Sequence, residues 1–360
     1  MLFNYRYVTH DIEGFQAYLD HLVKEVWCQA TDDFSLELLH PDLRAIVLEI
    51  YNTEEDTTRG RARDCLYGPI RNIYEIFRTQ LTAAQRQQVA VWYDHNNDIA
   101  ALCACDPDKP PATYADIRAI NADLETALKN FCKSLFTDVI HLKAVTSRIG
   151  EIDAHYTAFV TENREGKCPY CGYGDIKGVH HTRREAYDHY LPKGTYPFNS
   201  VNFRNLAPMC HECNSAYKLA KDPTRNIDPI SRTAGARRKA FYSYADEPPN
   251  ITVTVTLKTT NVTNLQPTDI DLQLTAPGHE EEVEAWKDVF GIEERYTAKF
   301  CAKNDGKVWL EQIVEEAACG EMSCEQLLAQ VLRAAARAPY DSANFLKAPF
   351  LTACKSAKII

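Results

Sequence analysis

The sequence predicts an α+β protein that is mainly helical, with its β structure in the middle and in the last third of the chain. Three observations lead to this prediction. Residues 1–160 contain very few glycines, and their apolar residues recur at helical spacing. Residues 251–257 alternate threonine with apolar residues, which is typical of a half-buried strand. Between these regions lie two Cys-x-x-Cys pairs, a spacing that suits a zinc site: Cys168 with Cys171, and Cys210 with Cys213.

The clearest helical pattern begins at Thr113. This residue is a candidate N-cap, and Asp116 three positions later can complete a capping box. We expect one helix from there, because the following apolar residues share one helical face: Ile117, Ile120, Leu124, Leu128, Phe131 and Leu135. Similar spacing predicts helical segments at 15–27, 36–51 and 64–81. Breaks are expected at Pro41, in the polar run 52–58 and in the proline-containing stretch 105–111.

Three regions are predicted along the chain. Residues 1–160 form a helical domain in which no catalytic motif stands out, residues 161–245 contain the cysteine pairs, and residues 246–360 form a β-hairpin followed by helices. The hairpin is expected because a second alternating segment follows the first after a turn-rich stretch. Its apolar residues are Ile270, Leu272 and Leu274.

Charge is distributed unevenly. The net charge of the 360 residues is −10, which by itself argues against a nucleic-acid partner. Residues 164–239, however, contain 14 lysines and arginines against 7 acidic residues, and the rest of the chain has 26 basic and 43 acidic residues. A basic island in an acidic chain suggests that the island meets phosphate. A random fluctuation in charge is the alternative.

Composition also bears on the compartment. No apolar run is long enough for a transmembrane helix, so no membrane association is expected. The first residues lack the apolar segment and cleavage site of a secretion signal. The number of cysteines, 13, is odd, and four of them have metal-ligand spacing, which fits a reducing cytosol better than a disulfide framework. We therefore expect a cytoplasmic protein.

The cysteine pairs predict one structural zinc ion. Each pair places two thiolates on a tight turn, and four thiolates leave no coordination position for water. The gap between the pairs, residues 172–209, is too long for a simple zinc ribbon, in which it is about 15–20 residues. We therefore expect a folded segment inside the gap, to which the zinc supplies folding energy. The alternative is four cysteines without a metal.

The residues inside and just after this gap resemble the HNH endonuclease family, whose fold is called ββα-metal. The matching segments are Asp188-His189-Tyr-Leu-Pro192, Asn205-Leu-Ala-Pro208 and Cys210-His-Glu-Cys213-Asn214. The family pattern is an acid–histidine pair that ends a strand, an asparagine in the turn region, and a histidine or asparagine on the next helix. Many members carry two Cys-x-x-Cys knuckles around it. The resemblance implies a central ββα-metal core at 161–245, flanked by the two other regions.

The resemblance also implies a role for each matching residue. His189 would be the general base. Asp188 and Asn214 would hold a catalytic metal, which their oxygen donors suggest is Mg²⁺ or Mn²⁺. Asn205 would brace the connection after the strand and orient His189 through a backbone hydrogen bond. Lys218, one turn beyond Asn214, would contact phosphate.

The chemistry of phosphodiester hydrolysis favours the same residue types. A neutral histidine can accept a proton from water near neutral pH, and a cation stabilises the charge that develops on the phosphate. Other basic residues are candidates for contacts to a nucleic-acid backbone, which position the strand without reading its sequence: Arg183, Arg184, Lys193 and Arg204.

A narrower resemblance concerns residues 188–193, Asp-His-Tyr-Leu-Pro-Lys, followed by Tyr196-Pro197. This stretch is similar to HNH effectors of bacterial anti-phage systems of the Septu or retron type, which partner an ATPase. The expected function is metal-dependent hydrolysis of DNA in such a system, with a defence-system ATPase as the protein partner.

Three alternatives stay open. A zinc-binding protein-interaction module without catalysis would have no need of an Asp-His pair. An HNH nuclease that cleaves RNA or tRNA would use the same residues, because the phosphate is common to all nucleic acids. A restriction or homing enzyme would need a sequence-reading domain, and no such motif is visible outside the central segment.

Overall fold

The chain is mainly helical and its strands form small antiparallel pairs, which confirms the predicted α+β class. The computed structural model describes residues 1–52, 66–227, 234–320 and 322–360. Within these residues the strands form separate two-stranded sheets. Helices precede and follow the strands along the chain, so the β structure lies where the sequence predicts it.

The first helical region runs from Gly14 to Glu162. Its helices are α1 (Gly14–His21), α2 (Pro41–Asn52), α3 (Tyr67–Gln80), α4 (Ala83–Asn97), α5 (Ile99–Cys103), α6 (Tyr114–Ile120), α7 (Ala122–Thr137), α8 (Lys143–Ile149) and α9 (Ile152–Glu162). A π-helical turn, Leu22–Trp27, extends α1. Pro41, where we expected a break, is the first residue of α2, a position at which its missing N–H costs no hydrogen bond. Apart from Asn52, the expected break at 52–58 lies outside the described residues.

The helix expected from Thr113 is two helices. Thr113 and Asp116 form the predicted capping box, in which the Thr113 backbone N–H donates to Asp116 Oδ2 at 2.7 Å. The helix ends at Asn121, whose backbone is extended and whose side chain accepts from the Leu124 N–H at 2.8 Å. Asparagine favours such a cap because its side-chain oxygen satisfies a free N–H of the next helix. The apolar face nevertheless continues across the break into α7, where Leu128 is fully buried.

The strands pair in the order of the chain. They are β1 (Tyr187–His189) with β2 (Leu206–Pro208), β3 (Arg225–Ile227) with β4 (Ala234–Arg237), and β5 (Thr252–Leu257) with β6 (Ile270–Thr275). The last pair is the predicted hairpin, with Val255 opposite Leu272. Val255, Ile270 and Leu274 are buried on one face, so the alternation in the sequence predicted both the strands and their buried side.

The C-terminal helices cover the hairpin. They are α10 (Glu280–Phe290), α11 (Ile292–Cys301), α12 (Val308–Ala318), α13 (Cys324–Arg337) and α14 (Asn344–Ser356). Helix α14 packs against β5, and its buried Phe350 stacks on Phe300 of α11. No helix among the described residues is both long enough and apolar enough to cross a membrane.

One hydrophobic core connects the predicted regions. The Tyr5 backbone N–H donates to the Ser243 carbonyl at 2.9 Å, and the Tyr5 hydroxyl donates to the Pro208 carbonyl at 3.0 Å. From the C-terminal side, the Trp286 indole donates to the Tyr170 carbonyl at 2.7 Å. The segment with the cysteines is therefore packed from both sides. The boundaries at 160/161 and 245/246 stay predictions.

Candidate functional site

The four cysteines predicted to bind zinc lie together. Their sulfurs are all within 4.8 Å of one another and all four residues are buried. The Cys171 and Cys210 sulfurs are 3.9 Å apart, and a tetrahedral zinc ion with Zn–S bonds of about 2.3 Å requires sulfurs about 3.8 Å apart. The cluster therefore fits zinc both in its donor atoms and in its spacing.

The first knuckle is shaped by glycines. The Gly172 N–H donates to the Cys168 carbonyl at 2.7 Å, and the Cys168 N–H donates to the Gly174 carbonyl at 2.8 Å. Gly172 has a φ of +79°, in the left-handed region that favours glycine. A Cβ atom on Gly174 would lie only 2.8 Å from the Cys210 sulfur. Glycine at 174 thus leaves room for the second knuckle to approach the first.

Arg295 of α11 reaches the cysteine cluster from the C-terminal region. Its Nη1 donates to the Cys213 sulfur at 3.2 Å, and its Nε donates to the Tyr173 hydroxyl at 3.1 Å. Hydrogen bonds from the other cysteines, together with the Arg295 charge, hold the pKa of Cys171 well below its usual value. A zinc ion with four thiolates has a net charge of −2, which a buried guanidinium partly balances. Arg295 was not among the predicted site residues, because no motif links it to a cysteine 82 positions away.

The Asp-His pair lies on the short sheet between the knuckles. In β1, Asp188 pairs with Ala207 and His189 pairs with Leu206 of β2. Asn205 closes this hairpin: its Oδ1 accepts from the Leu191 N–H at 2.8 Å, and its Nδ2 donates to the Leu191 carbonyl at 3.0 Å. Asn205 therefore braces the chain after β1, but its side-chain bonds go to Leu191 and not to His189.

His189 is half-buried; its Nε2 is engaged, and no hydrogen bond within the described residues reaches its Nδ1. Its Nε2 lies 2.8 Å from the Ser200 carbonyl oxygen, and a carbonyl can only accept, so Nε2 carries the hydrogen of the neutral ring. The other nitrogen, Nδ1, then has a free lone pair. Burial, together with the charge of Lys193, lowers the pKa of His189 to about 3. The ring is therefore neutral at ordinary pH, and Nδ1 is its acceptor nitrogen.

Asp188 forms a buried ion pair with Lys218. The Lys218 Nζ lies 2.9 Å from Asp188 Oδ2, and the two side chains are 1% and 6% exposed. Nζ also donates to the His189 carbonyl at 3.0 Å. Burial raises the pKa of Asp188, and the Lys218 charge opposes that rise. Lys218 therefore differs from our expectation of a phosphate contact: it points inward, because an isolated buried carboxylate would be costly.

The oxygen donors expected to hold a second metal are only partly assembled. Among the described residues, Asp188 Oδ2 has no well-aligned hydrogen-bond donor, although Lys218 balances its charge. Asn214 is half-buried on the π-helical segment Cys213–Lys218, and no hydrogen bond reaches its side-chain amide within the described residues. A carboxylate and an amide oxygen suit Mg²⁺ or Mn²⁺ when water and phosphate oxygens complete the shell. In the described parts of the chain, the cysteine cluster is the only close group of three or more His, Cys, Asp or Glu.

The basic residues expected to meet phosphate occupy different places. Apart from Lys218, Lys193 is the one that lies beside the Asp-His pair: its Nζ is 4.7 Å from the ring centroid of Phe136, which contacts His189. Arg184 precedes β1, and its Nε donates to Asp153 at 2.5 Å. The exposed Arg183 lines a surface cleft together with Arg184 and Asp153. Arg204 lies 4.2 Å above the Tyr7 ring. The structure therefore brings Lys193, but not the arginines, to His189.

Comparison with known proteins gives one partial similarity. The chain is 40% identical over 83 residues to the Septu protein PtuB of Bacillus thuringiensis. The aligned part is 22% of this chain and 30% of that relative. No family model matches the sequence, and no solved structure matches it. The similarity supports the Septu-type resemblance that residues 188–197 indicate.

Proposed function

We propose that this protein is a metal-dependent endonuclease of the HNH type. The observation that supports the proposal most is the geometry of His189: its Nε2 lies 2.8 Å from the Ser200 carbonyl oxygen, and no hydrogen bond from the described residues reaches its Nδ1. The adjacent Asp188 lies on the same strand. A structural zinc site alone would need neither residue, whereas metal-dependent hydrolysis of a phosphodiester uses a base and a carboxylate that can hold the metal cation.

In the proposed reaction, a water molecule attacks phosphorus while the bond to the leaving oxygen breaks, and the leaving oxygen then takes a proton from solvent water. His189 Nδ1 takes the proton of the water, and the Ser200 carbonyl keeps the ring in the tautomer that allows this. Asn205 holds the chain after His189 through its two bonds to Leu191. Asp188 and Asn214 are the residues that would hold Mg²⁺ or Mn²⁺, which when bound supplies positive charge to the phosphate and leaving oxygens.

Zinc has a separate, structural role in this proposal. The cysteine cluster holds both ends of the segment that contains Asp188, His189 and Asn205, and its four thiolates leave no open coordination position. Arg295 connects the cluster to the C-terminal helices through its bond to Cys213 at 3.2 Å. Loss of zinc should therefore displace Asn214, which directly follows Cys213.

We also propose a role in anti-phage defence, with DNA as the substrate and an ATPase as the partner. The support is the partial similarity to the Septu protein PtuB together with the motif of residues 188–197. The basic segment 164–239 within an acidic chain is consistent with a nucleic-acid substrate. RNA is the alternative substrate, because the proposed chemistry acts on the phosphate alone.

Cleavage of supercoiled plasmid by the purified full chain tests the nuclease proposal. Wild type is compared with His189→Ala in Mg²⁺ and in Mn²⁺, and zinc content is measured in each protein. A matched control is His141→Ala, because His141 is exposed in the helical region. We expect wild type and the control to nick or linearise the plasmid, and the zinc-replete His189→Ala protein to leave it intact.

Two outcomes would count against the proposal. Equal cleavage by wild type and His189→Ala would show that this residue is not the base. No cleavage of plasmid or of RNA by a zinc-replete wild type, alone or with an ATPase encoded beside it, would favour a zinc-binding interaction module.

A further inference from the structure

Helix α7 of the N-terminal region ends beside the proposed general base. The ring centroids of Phe136 and His189 are 4.5 Å apart, with the rings nearly perpendicular at 80°. The Lys193 Nζ lies 4.7 Å from the same Phe136 ring, within the range of a cation–π contact. The Phe136 ring therefore contacts both His189 and Lys193, although Phe136 lies outside the segment that resembles the nuclease family.

Lys133 lies one turn before Phe136 on α7. Residues three apart on a helix are neighbours on its surface, so the exposed Lys133 faces the same side as Phe136. Burial, and after it the charge of Lys133, lowers the pKa of Lys193. Lys133 and Lys193, from two regions of the chain, thus flank the same Phe136 ring.

In the described ranges, neither Lys133 nor Lys193 forms an ion pair with a carboxylate. Lys129, one turn earlier on α7, differs in this respect because it pairs with Glu125 at 3.7 Å. Asp138, just after α7, accepts a hydrogen bond from the Thr137 hydroxyl at 2.7 Å. Two uncompensated cations beside a neutral histidine create a local positive potential, which an anion would relieve.

We propose that Lys133 and Lys193 together bind one backbone phosphate of a DNA strand next to His189. Phe136 forms the apolar wall against which the neighbouring sugar or base rests. The N-terminal helical region therefore supplies part of the substrate site. This inference rests on the proposed nuclease function for its substrate, but its test measures binding and not cleavage.

The test uses the full-length, zinc-replete His189→Ala protein, so that the probe stays intact. The probes are a fluorescein-labelled 20-base-pair DNA duplex and its single strand, and binding is followed by fluorescence anisotropy at several salt concentrations. Lys133→Glu and the milder Lys133→Gln are added to this background. The matched control is Lys258→Glu, because Lys258 is exposed on the loop after β5, in the C-terminal region.

We expect Lys133→Glu to weaken binding about tenfold, with a slope of log Kd against log salt lower by about one. Lys133→Gln should lower the slope by the same amount with a smaller loss of affinity, and Lys258→Glu should change neither. Unchanged binding on Lys133→Glu, an equal loss with Lys258→Glu, or no binding of either probe by the His189→Ala protein would overturn the proposal. Circular dichroism checks the fold of each variant.

The result separates this inference from the nuclease proposal. If wild type cleaves DNA but binding does not depend on Lys133, the nuclease stands and the phosphate contact fails. If binding depends on Lys133 but wild type cleaves neither DNA nor RNA, the phosphate contact stands and the nuclease proposal fails.

Discussion

Lys218 and Asp188 form an ion pair, 2.9 Å between Nζ and Oδ2, in which both side chains are almost completely removed from solvent. Two charges in such a place are stable only as a pair, because each alone would lose its hydration without replacement. The pair also links the π-helical segment Cys213–Lys218 to β1, since Nζ donates to the His189 carbonyl as well. Lys218 thus positions the strand that bears the proposed catalytic residues.

The first prediction follows from this pairing. Lys218→Met should lower the free energy of unfolding by about 3–5 kcal/mol, because it leaves Asp188 buried without a counter-charge. The double variant Asp188→Asn/Lys218→Met should lose less than Lys218→Met alone. The free energy is measured by urea unfolding at neutral pH. An exposed pair provides the control: Lys355→Met breaks the contact to Glu325 and should cost much less, because solvent screens an exposed pair. Similar costs for Lys218→Met and Lys355→Met would refute the prediction.

The second prediction concerns the space between the knuckles. Gly174→Ala should weaken zinc binding by about 1–3 kcal/mol, because its Cβ would lie 2.8 Å from the Cys210 sulfur and 3.2 Å from the Cys171 sulfur. Gly178→Ala is the matched control, because a Cβ there meets nothing within 4 Å. Competition with a chromogenic zinc chelator measures the affinity. If both variants release zinc as wild type does, the sulfurs are not held as tightly as the structure shows.

Local signals in the sequence predicted the elements that depend on neighbours along the chain. The capping box of Thr113 and Asp116 and the alternation of β5 and β6 are of this kind. The Cys-x-x-Cys spacing likewise predicted a cluster whose sulfurs lie together. Asn121 shows where such local signals fail. The apolar residues continue at helical spacing on both sides of this N-cap, so their pattern did not reveal that one helix ends there and another begins.

Contacts between distant residues were not predictable in this way. The Lys218 side chain points inward because Asp188 is buried. The spacing of residues in the sequence does not show which residues are buried. The same holds for Arg295 at the cysteines and for Phe136 against His189. Each is an ordinary helix residue in the sequence, and only the packing of its helix on the central segment gives it a place at the site.

The third prediction concerns Arg295. Arg295→Met should speed zinc release to a chelator and lower the zinc affinity about tenfold or more, because the Cys213 sulfur loses a charged donor. Arg295→Lys should lie between wild type and Arg295→Met, since a lysine retains the charge but not the fork that also reaches the Tyr173 hydroxyl. The measurement is the rate of zinc transfer to the chelator. Thermal unfolding of the zinc-loaded wild type and variants checks the fold. Release from Arg295→Met at the wild-type rate would show that the guanidinium does not stabilise the thiolates.

The fourth prediction is a loss of stability in acid that comes from His155. This residue of α9 is 2% exposed, its Nδ1 lies 2.5 Å from the Tyr187 hydroxyl, and no hydrogen bond from the described residues reaches its Nε2. Burial, followed by the charge of His10, lowers the pKa of His155 to about 4. The unfolded chain binds a proton at His155 near pH 6.5, whereas the folded chain does not until about pH 4. Folding stability from this residue is therefore present above pH 6.5 and is lost as the pH falls from there towards 4, by up to about 3 kcal/mol.

His155→Phe should make the free energy of unfolding depend less on pH between about 6.5 and 4. Phenylalanine can occupy the same place among Phe159 and Phe203 but takes up no proton, although it leaves the Tyr187 hydroxyl without its partner and so lowers stability at every pH. The quantity to compare is consequently the change in the free energy of unfolding between pH 7 and pH 4, measured by urea unfolding in wild type, in His155→Phe and in His141→Phe as the exposed control. We expect wild type and His141→Phe to lose stability in parallel, and His155→Phe to lose about 3 kcal/mol less over this range. Parallel curves for all three proteins would mean that His155 is protonated in the folded chain as readily as in the unfolded one, and that its burial does not disfavour the charged ring.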